Sequence, residues 1–165
     1  MSAAREVALW VGGALLAGAA AWAWRRYGLG YSEGVPTGLV QLEHVEGVPV
    51  PAAEAATVRA LLAEARAAGV PLQLNSAFRG MGRQVWLYAQ YRLGLRADAA
   101  ARPGYSNHQR AVREKSRGPA LDISVGRSAD SRESRVLDAI GPKYGLKPVG
   151  RSFGEPWHFE LVKKG

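Results

Sequence analysis

The chain has no cysteine, and among its 165 residues only three are histidines and only 14 are acidic. Without cysteine there is neither a disulfide framework nor a thiolate metal site, so a metal held here must use nitrogen and oxygen donors. The missing cysteine does not report the compartment. Negative charge is short: 22 Lys and Arg leave a net charge of +8. The imbalance sits in the second part, where residues 76–165 carry 17 basic against 8 acidic side chains and residues 1–75 carry 5 against 6. Such a surface favours anionic polymers, anionic lipid heads or nucleic acid. The basic residues are scattered, with no recognition helix and no aromatic RNA motif, so nucleic acid is not expected as a partner.

Long apolar runs are also scarce, and the one exception stands at the start. Val7 to Trp24 is 18 uncharged, mostly apolar residues flanked by Arg5-Glu6 and Arg25-Arg26, with Trp10, Trp22 and Trp24 among them. At about 1.5 Å per residue it just spans the hydrocarbon of a bilayer. Residues 1–26 are therefore expected to be a membrane anchor, the membrane being met through residues 7–24. A cleaved signal segment ending near Ala19-Ala20-Ala21 is the alternative, and a buried helix a further one. Ten of the 18 residues are Gly or Ala, which weakens insertion. The charge flanks favour keeping the remainder in the cytoplasm.

Residues 27–50 are rich in Gly and Pro and read as a linker, with Leu39-Val40-Gln41-Leu42 as a possible edge strand and His44 as a solvated loop residue. A length of 165 residues suits one compact domain with an appendage, and residues 51–165 are expected to form it. Ala52 to Ala68 has the spacing of a helix, with Val58, Leu61, Leu62 and Ala65 inward and Gly69 beyond its end. Val70 to Leu74 reads as a strand. Met81 to Leu93 reads as a second helix that presents Val85, Leu87, Tyr88 and Tyr91 to core and groove, and Ser131 to Tyr144 as a third, interrupted at Gly141-Pro142. Phe159 to Val162 alternates as a half-buried strand does.

Two of the three histidines lie among turn formers and acids: His108 in Gly104-Tyr105-Ser106-Asn107-His108-Gln109, and His158 in Glu155-Pro156-Trp157-His158. Asp122 closes Gly118-Pro119-Ala120-Leu121-Asp122 between them. Imidazole nitrogens and a carboxylate oxygen are the donors of a catalytic zinc, with one position left to water and a nearby carboxylate to take its proton. His108, Asp122 and His158 are the candidate ligands, and Glu155 the candidate base.

These motifs carry a resemblance. Ser106-x-His108, Gly118-x-Ala120-x-Asp122 and Glu155-x-Trp157-His158 resemble, in order, the signature of the M15 family of zinc peptidases, the D-alanyl-D-alanine carboxypeptidases and related peptidoglycan peptidases. Ser76-Ala77-Phe78-Arg79, then Gln84 and Leu87-Tyr88, is similar to an upstream segment of that family. The likeness spans roughly residues 51 to 162. It implies Zn²⁺ as cofactor, a peptidoglycan stem peptide as substrate, Arg79 as a second catalytic residue that pairs with a carboxylate or steadies an oxyanion, and Ser106, Gln84 and Ser76 as substrate-binding residues. It also implies action on the cell-wall side of a membrane, against the charge flanks of the apolar run.

One spacing departs from the family. Its first histidine and aspartate lie seven positions apart, whereas His108 and Asp122 are 14 apart. A stretch equivalent to Arg110–Ser116 is added, expected to loop out between strands, because the entropy of a loop grows only slowly with its length. The expected fold is α+β: a small, mainly antiparallel sheet with packed helices and a zinc cleft, preceded by one N-terminal membrane helix. The expected activity is D-alanyl-D-alanine carboxypeptidase, by a monomer. A wall-lytic endopeptidase of endolysin type, or an inactive domain that binds wall peptides, is the alternative.

Overall fold

The computed structural model describes residues 25–126 and 130–164. The apolar run at 7–24 lies outside them, and among the described residues no helix is long and apolar enough to cross a membrane.

Residues 27–51 are not a linker. They fold as a three-stranded antiparallel sheet of β1 (Tyr27–Ser32), β2 (Val35–Val45) and β3 (Val48–Pro51). The turns are Glu33-Gly34 and Glu46-Gly47, and each pair has positive φ at both residues. That is the two-residue turn whose twist matches a hairpin. Val40, Leu42 and Val45 face inward on β2, and His44 is exposed on the same strand.

Helix α1 (Ala52–Ala67) follows, with Val58, Leu61, Leu62 and Ala65 buried as its spacing predicts. It covers the core made with a second sheet, whose order is β4 (Leu74–Ser76), β5 (Ala120–Ile123), β7 (His158–Leu161), β6 (Leu146–Lys147). Every pairing in it is antiparallel. Helix α3 (Arg132–Tyr144) packs Leu137, Val136 and Ile140 on the same core. The Ser131 side chain caps it, accepting from the Ser134 N–H, and it runs through Gly141-Pro142 to its end at Gly145. The result is α+β, with the first sheet joined to the second where the Phe78 N–H donates to the Pro49 carbonyl at 2.9 Å.

Helix α2 (Met81–Arg92) departs from expectation. Its one buried residue is Gln84. Val85, Trp86 and Tyr91 are exposed, so its apolar side chains flank the core and do not fill it.

The added stretch Arg110–Ser116 is not looped out. Arg113 reaches the buried Glu54 at the start of α1, its Nε 2.8 Å from both carboxylate oxygens, and also donates to the Tyr144 carbonyl at 2.9 Å. The Lys163 N–H donates to the Glu114 carbonyl. A guanidinium matched to a carboxylate in two places is a geometrically specific tie. Removing one partner of such a buried pair leaves an uncompensated charge, so Glu54→Ala should destabilise the fold by about 3 kcal/mol, as urea denaturation of the parent and variant would measure.

Candidate active site

The second sheet brings the candidate residues together by register. Asp122 on β5 lies directly opposite His158 on β7. His108 comes from a single 3-10 turn, Asn107–Gln109, laid against the end of β4. Two bonds fix it there: the Arg79 N–H donates to the His108 carbonyl at 2.8 Å, and His108 Nδ1 donates to the Ala77 carbonyl at 2.7 Å. Gly150 lies behind His158, where a Cβ would come within 2.1 Å of the Glu155 carbonyl oxygen and 2.6 Å of the His158 Cβ. Only glycine permits that approach.

The donor atoms of His108, Asp122 and His158 lie within 4.8 Å of one another. His108 and His158 are both buried. Because Nδ1 of His108 gives its proton to a carbonyl, Nε2 presents a lone pair, and it points at Asp122 Oδ2 at 3.1 Å. Burial lowers the His108 pKa, an effect only partly opposed by Asp122, so the ring stays neutral. A lone pair then faces a carboxylate. Asp122 itself is ionised: burial alone would raise its pKa, but the His108 and His158 rings beside it outweigh that and hold it well below the usual carboxylate range. His158 Nδ1 is 2.8 Å from Asp122 Oδ1, while its Nε2 is buried with no hydrogen-bond partner among the described residues. Buried lone pairs are costly unless something completes them. A divalent cation does so, and two imidazoles with one carboxylate are a donor set that suits zinc. The residues present fit the metal.

This cluster is the floor of an open cleft of about 490 Å³, walled by Arg79, Tyr105, Ser106, Glu155, Phe153 and Trp157 among others. Arg79 sits 4.0 Å from Asp122 through one nitrogen and donates to the Gln84 Oε1 at 3.1 Å through another. Burial lowers its pKa from the ordinary arginine value, and Asp122 counters this. Ser106 is buried in the wall. Gln84 and Ser76 are not in it. Gln84 is fully buried, takes a hydrogen bond from Arg79 and gives one to the Ala101 carbonyl at 2.7 Å. Its place is behind the arginine. Ser76 is half-buried in β4, where it pairs with Asp122. Tyr105 and Asn107 on the wall were not singled out from the sequence, although both lie within the histidine motif. Arg96, beyond α2, carried no motif signal, whereas Tyr91 within α2 is a residue the sequence presents to core and groove, and it lines the cleft.

A His-Asp-His cluster at the floor of an open cleft, two of its members on neighbouring antiparallel strands, is a donor group that could hold the metal of a metallopeptidase. Residues 50–164 match the family model VanY, described as D-alanyl-D-alanine carboxypeptidase. The chain belongs to this family of M15 zinc peptidases. Among solved structures it is similar to a variant of the vancomycin resistance D,D-pentapeptidase VanY from a VanB-type cassette in complex with Zn(II), with 24% identity over 75% of this chain and 79% of that one and a TM-score of 0.55. It is likewise similar to VanYB in complex with D-alanine-D-alanine, at 22% identity, 82% and 86% coverage and a TM-score of 0.57. The LD-carboxypeptidase LdcB matches at 21% identity, 74% and 63% coverage and a TM-score of 0.54. At these identities the likeness is one of fold. No curated protein matches the chain.

Proposed function

We propose that this protein is a D,D-carboxypeptidase that removes the terminal D-alanine from peptidoglycan stem peptides, with His108, Asp122 and His158 as its zinc ligands. The observation that carries the reading is the buried lone-pair cluster at the floor of a cleft whose walls hold both a carboxylate, Glu155, and a guanidinium, Arg79. The family description supports the bond, and the cleft is of the size that holds the end of a short peptide.

Zinc supplies Lewis acidity, which makes water a nucleophile at neutral pH and draws charge from a carbonyl oxygen. The remaining work belongs to the chain. Glu155 takes the proton of the attacking water and hands it to the departing amine. Arg79, held by Gln84 behind it, balances the negative charge that gathers on the scissile carbonyl oxygen. Its charge partner, Asp122, fixes it beside the metal position. Ser106 holds the wall nearest His108.

The apolar run at 7–24 is read as the tether or export segment, which puts the catalytic unit on the wall side, and that unit begins at residue 27 with the first sheet. To test the activity, the zinc-loaded protein is incubated with a pentapeptide stem and the products are followed by mass. Loss of a single D-alanine, abolished by chelator, is expected. Release from an internal bond would replace the reading with an endopeptidase, and no cleavage by the zinc-loaded protein would leave a domain that binds wall peptides.

A further inference from the structure

Two segments of this chain lie outside the strands and the turn that carry the candidate ligands. One is the hairpin β1–β2, which precedes the matched residues 50–164. The other is the added stretch Arg110–Ser116. They meet at a single carboxylate. Glu33, at the hairpin tip, accepts from the Arg110 guanidinium at 2.9 Å and also from that of Arg117. Arg110 opens the added stretch and Arg117 follows its last residue, so Glu33 closes its base.

The tie continues inward. Arg110 is buried, and its other terminal nitrogen lies 4.0 Å from Glu160. Glu160, also buried, accepts from the Asn107 side chain at 2.6 Å and from the Gly118 N–H at 3.0 Å. Asn107 adjoins His108, and Gly118 leads into the strand of Asp122. Beside this, the Gly34 N–H donates to the Gly104 carbonyl at 3.0 Å, and a Cβ on Gly34 would fall 2.8 Å from the Tyr105 ring that walls the cleft. Ala111 packs on Val40, Leu42 and Phe78. The hairpin therefore touches the histidine turn from one side and the added stretch from the other.

The backbone of Glu33 points the same way. Its φ is 51°, in the left-handed region that favours Gly, Asn and Asp over glutamate. Local conformation does not ask for glutamate there, so what the side chain contributes is its reach to two arginines. A residue held in a disfavoured conformation at such a contact is a reason to look for function.

We propose that the hairpin and the added stretch form one positioning unit, clasped by Glu33, that holds the Ser106–Gln109 turn and with it His108 at the metal position. Glu33 is a positioning residue: it touches neither metal nor substrate and acts through Arg110 and the turn. The proposal rests on the reading of His108 as a zinc ligand.

Glu33→Asn tests it, because asparagine suits the left-handed turn while removing the carboxylate reach. In the full chain purified in mild detergent, the melting temperature of the metal-free variant should equal or exceed that of the parent. Its zinc affinity, titrated against a competing chelator, should fall on the order of tenfold, the lower end of what outer partners of metal ligands contribute. A contribution to folding alone would not move that affinity at a temperature where both proteins are folded. Arg110→Gln with Arg117→Gln should weaken zinc similarly, and adding Glu33→Asn to that pair should weaken it no further. Parent-like zinc affinity in Glu33→Asn, or full additivity with the arginine pair, overturns the clasp. His108→Ala separates the two failures: if it has lost zinc while Glu33→Asn has not, the ligand assignment stands and the clasp falls. If His108→Ala retains zinc, both fall.

Discussion

Glu155→Ala should keep one zinc per chain and lose hydrolysis by roughly 10²- to 10⁴-fold, the range that general acid–base groups contribute. Glu155 walls the cleft, and among the described residues its carboxylate makes no hydrogen bond. Its backbone is what is fixed: the N–H donates to the Gly150 carbonyl, and its own carbonyl accepts from the His158 N–H, both at 2.9 Å. The side chain is thus delivered to the metal position by the turn that delivers His158, yet it is left free to take and give a proton. Truncating it removes none of the three candidate donors and no core packing, so metal content and melting temperature should stay at the parent's values. The loss should fall on kcat, because the proton moves in the transition state and not on binding. Glu155→Gln, which keeps shape and removes basicity, should lose nearly as much. Hydrolysis by Glu155→Ala at the parent's rate would show that another group takes the proton.

The site was more legible than the frame that carries it. His108, Asp122 and His158 could be picked out because donor types were so few: with no cysteine and three histidines, turn-flanked histidines near acids had little competition. What residue types do not reveal is direction. Gln84 looked like a substrate contact, but its side chain points to Arg79 and Ala101, and only the packing of α2 decides that. The apolar side chains of the same helix were read as a mixture of core and groove, although Val85 stays in solvent. The frame was misread where turn chemistry was ambiguous. Gly and Pro between residues 27 and 51 suggested a linker, yet Glu-Gly occurs twice there, and both pairs are hairpin turns. The charged stretch 110–116 suggested a solvated loop for the same kind of reason. Its arginines are spent on Glu54, Glu33 and Glu160, partners 77 to 50 positions away in the chain, which no local pattern reveals.

His158→Ala should do the opposite of Glu155→Ala, three positions away. His158 is a buried member of the donor cluster, and two donors hold zinc far less tightly than three, so affinity should fall well beyond the 10- to 100-fold that follows loss of an outer partner. The variant purified without added metal should therefore contain no zinc, and peptidase activity should vanish with it. The fold should also suffer. Asp122 would be left ionised and largely buried with only His108 and the more distant Arg79 to face it, while β7 loses the side chain that Phe153 covers. An unsatisfied buried group of this kind costs about 1–3 kcal/mol, so the melting temperature should drop, yet the chain should remain folded around the core of Leu121, Ile123, Phe159 and Leu161. Excess zinc should then raise the melting temperature of the parent and not that of the variant, because a metal stabilises the state that binds it. The pair of variants divides the last motif between its two roles: one residue holds the metal and the other moves the proton. Stoichiometric zinc at parental affinity in His158→Ala would place the metal on other donors, and the reading of the cleft would have to be rebuilt from Arg79 and Glu155 outward.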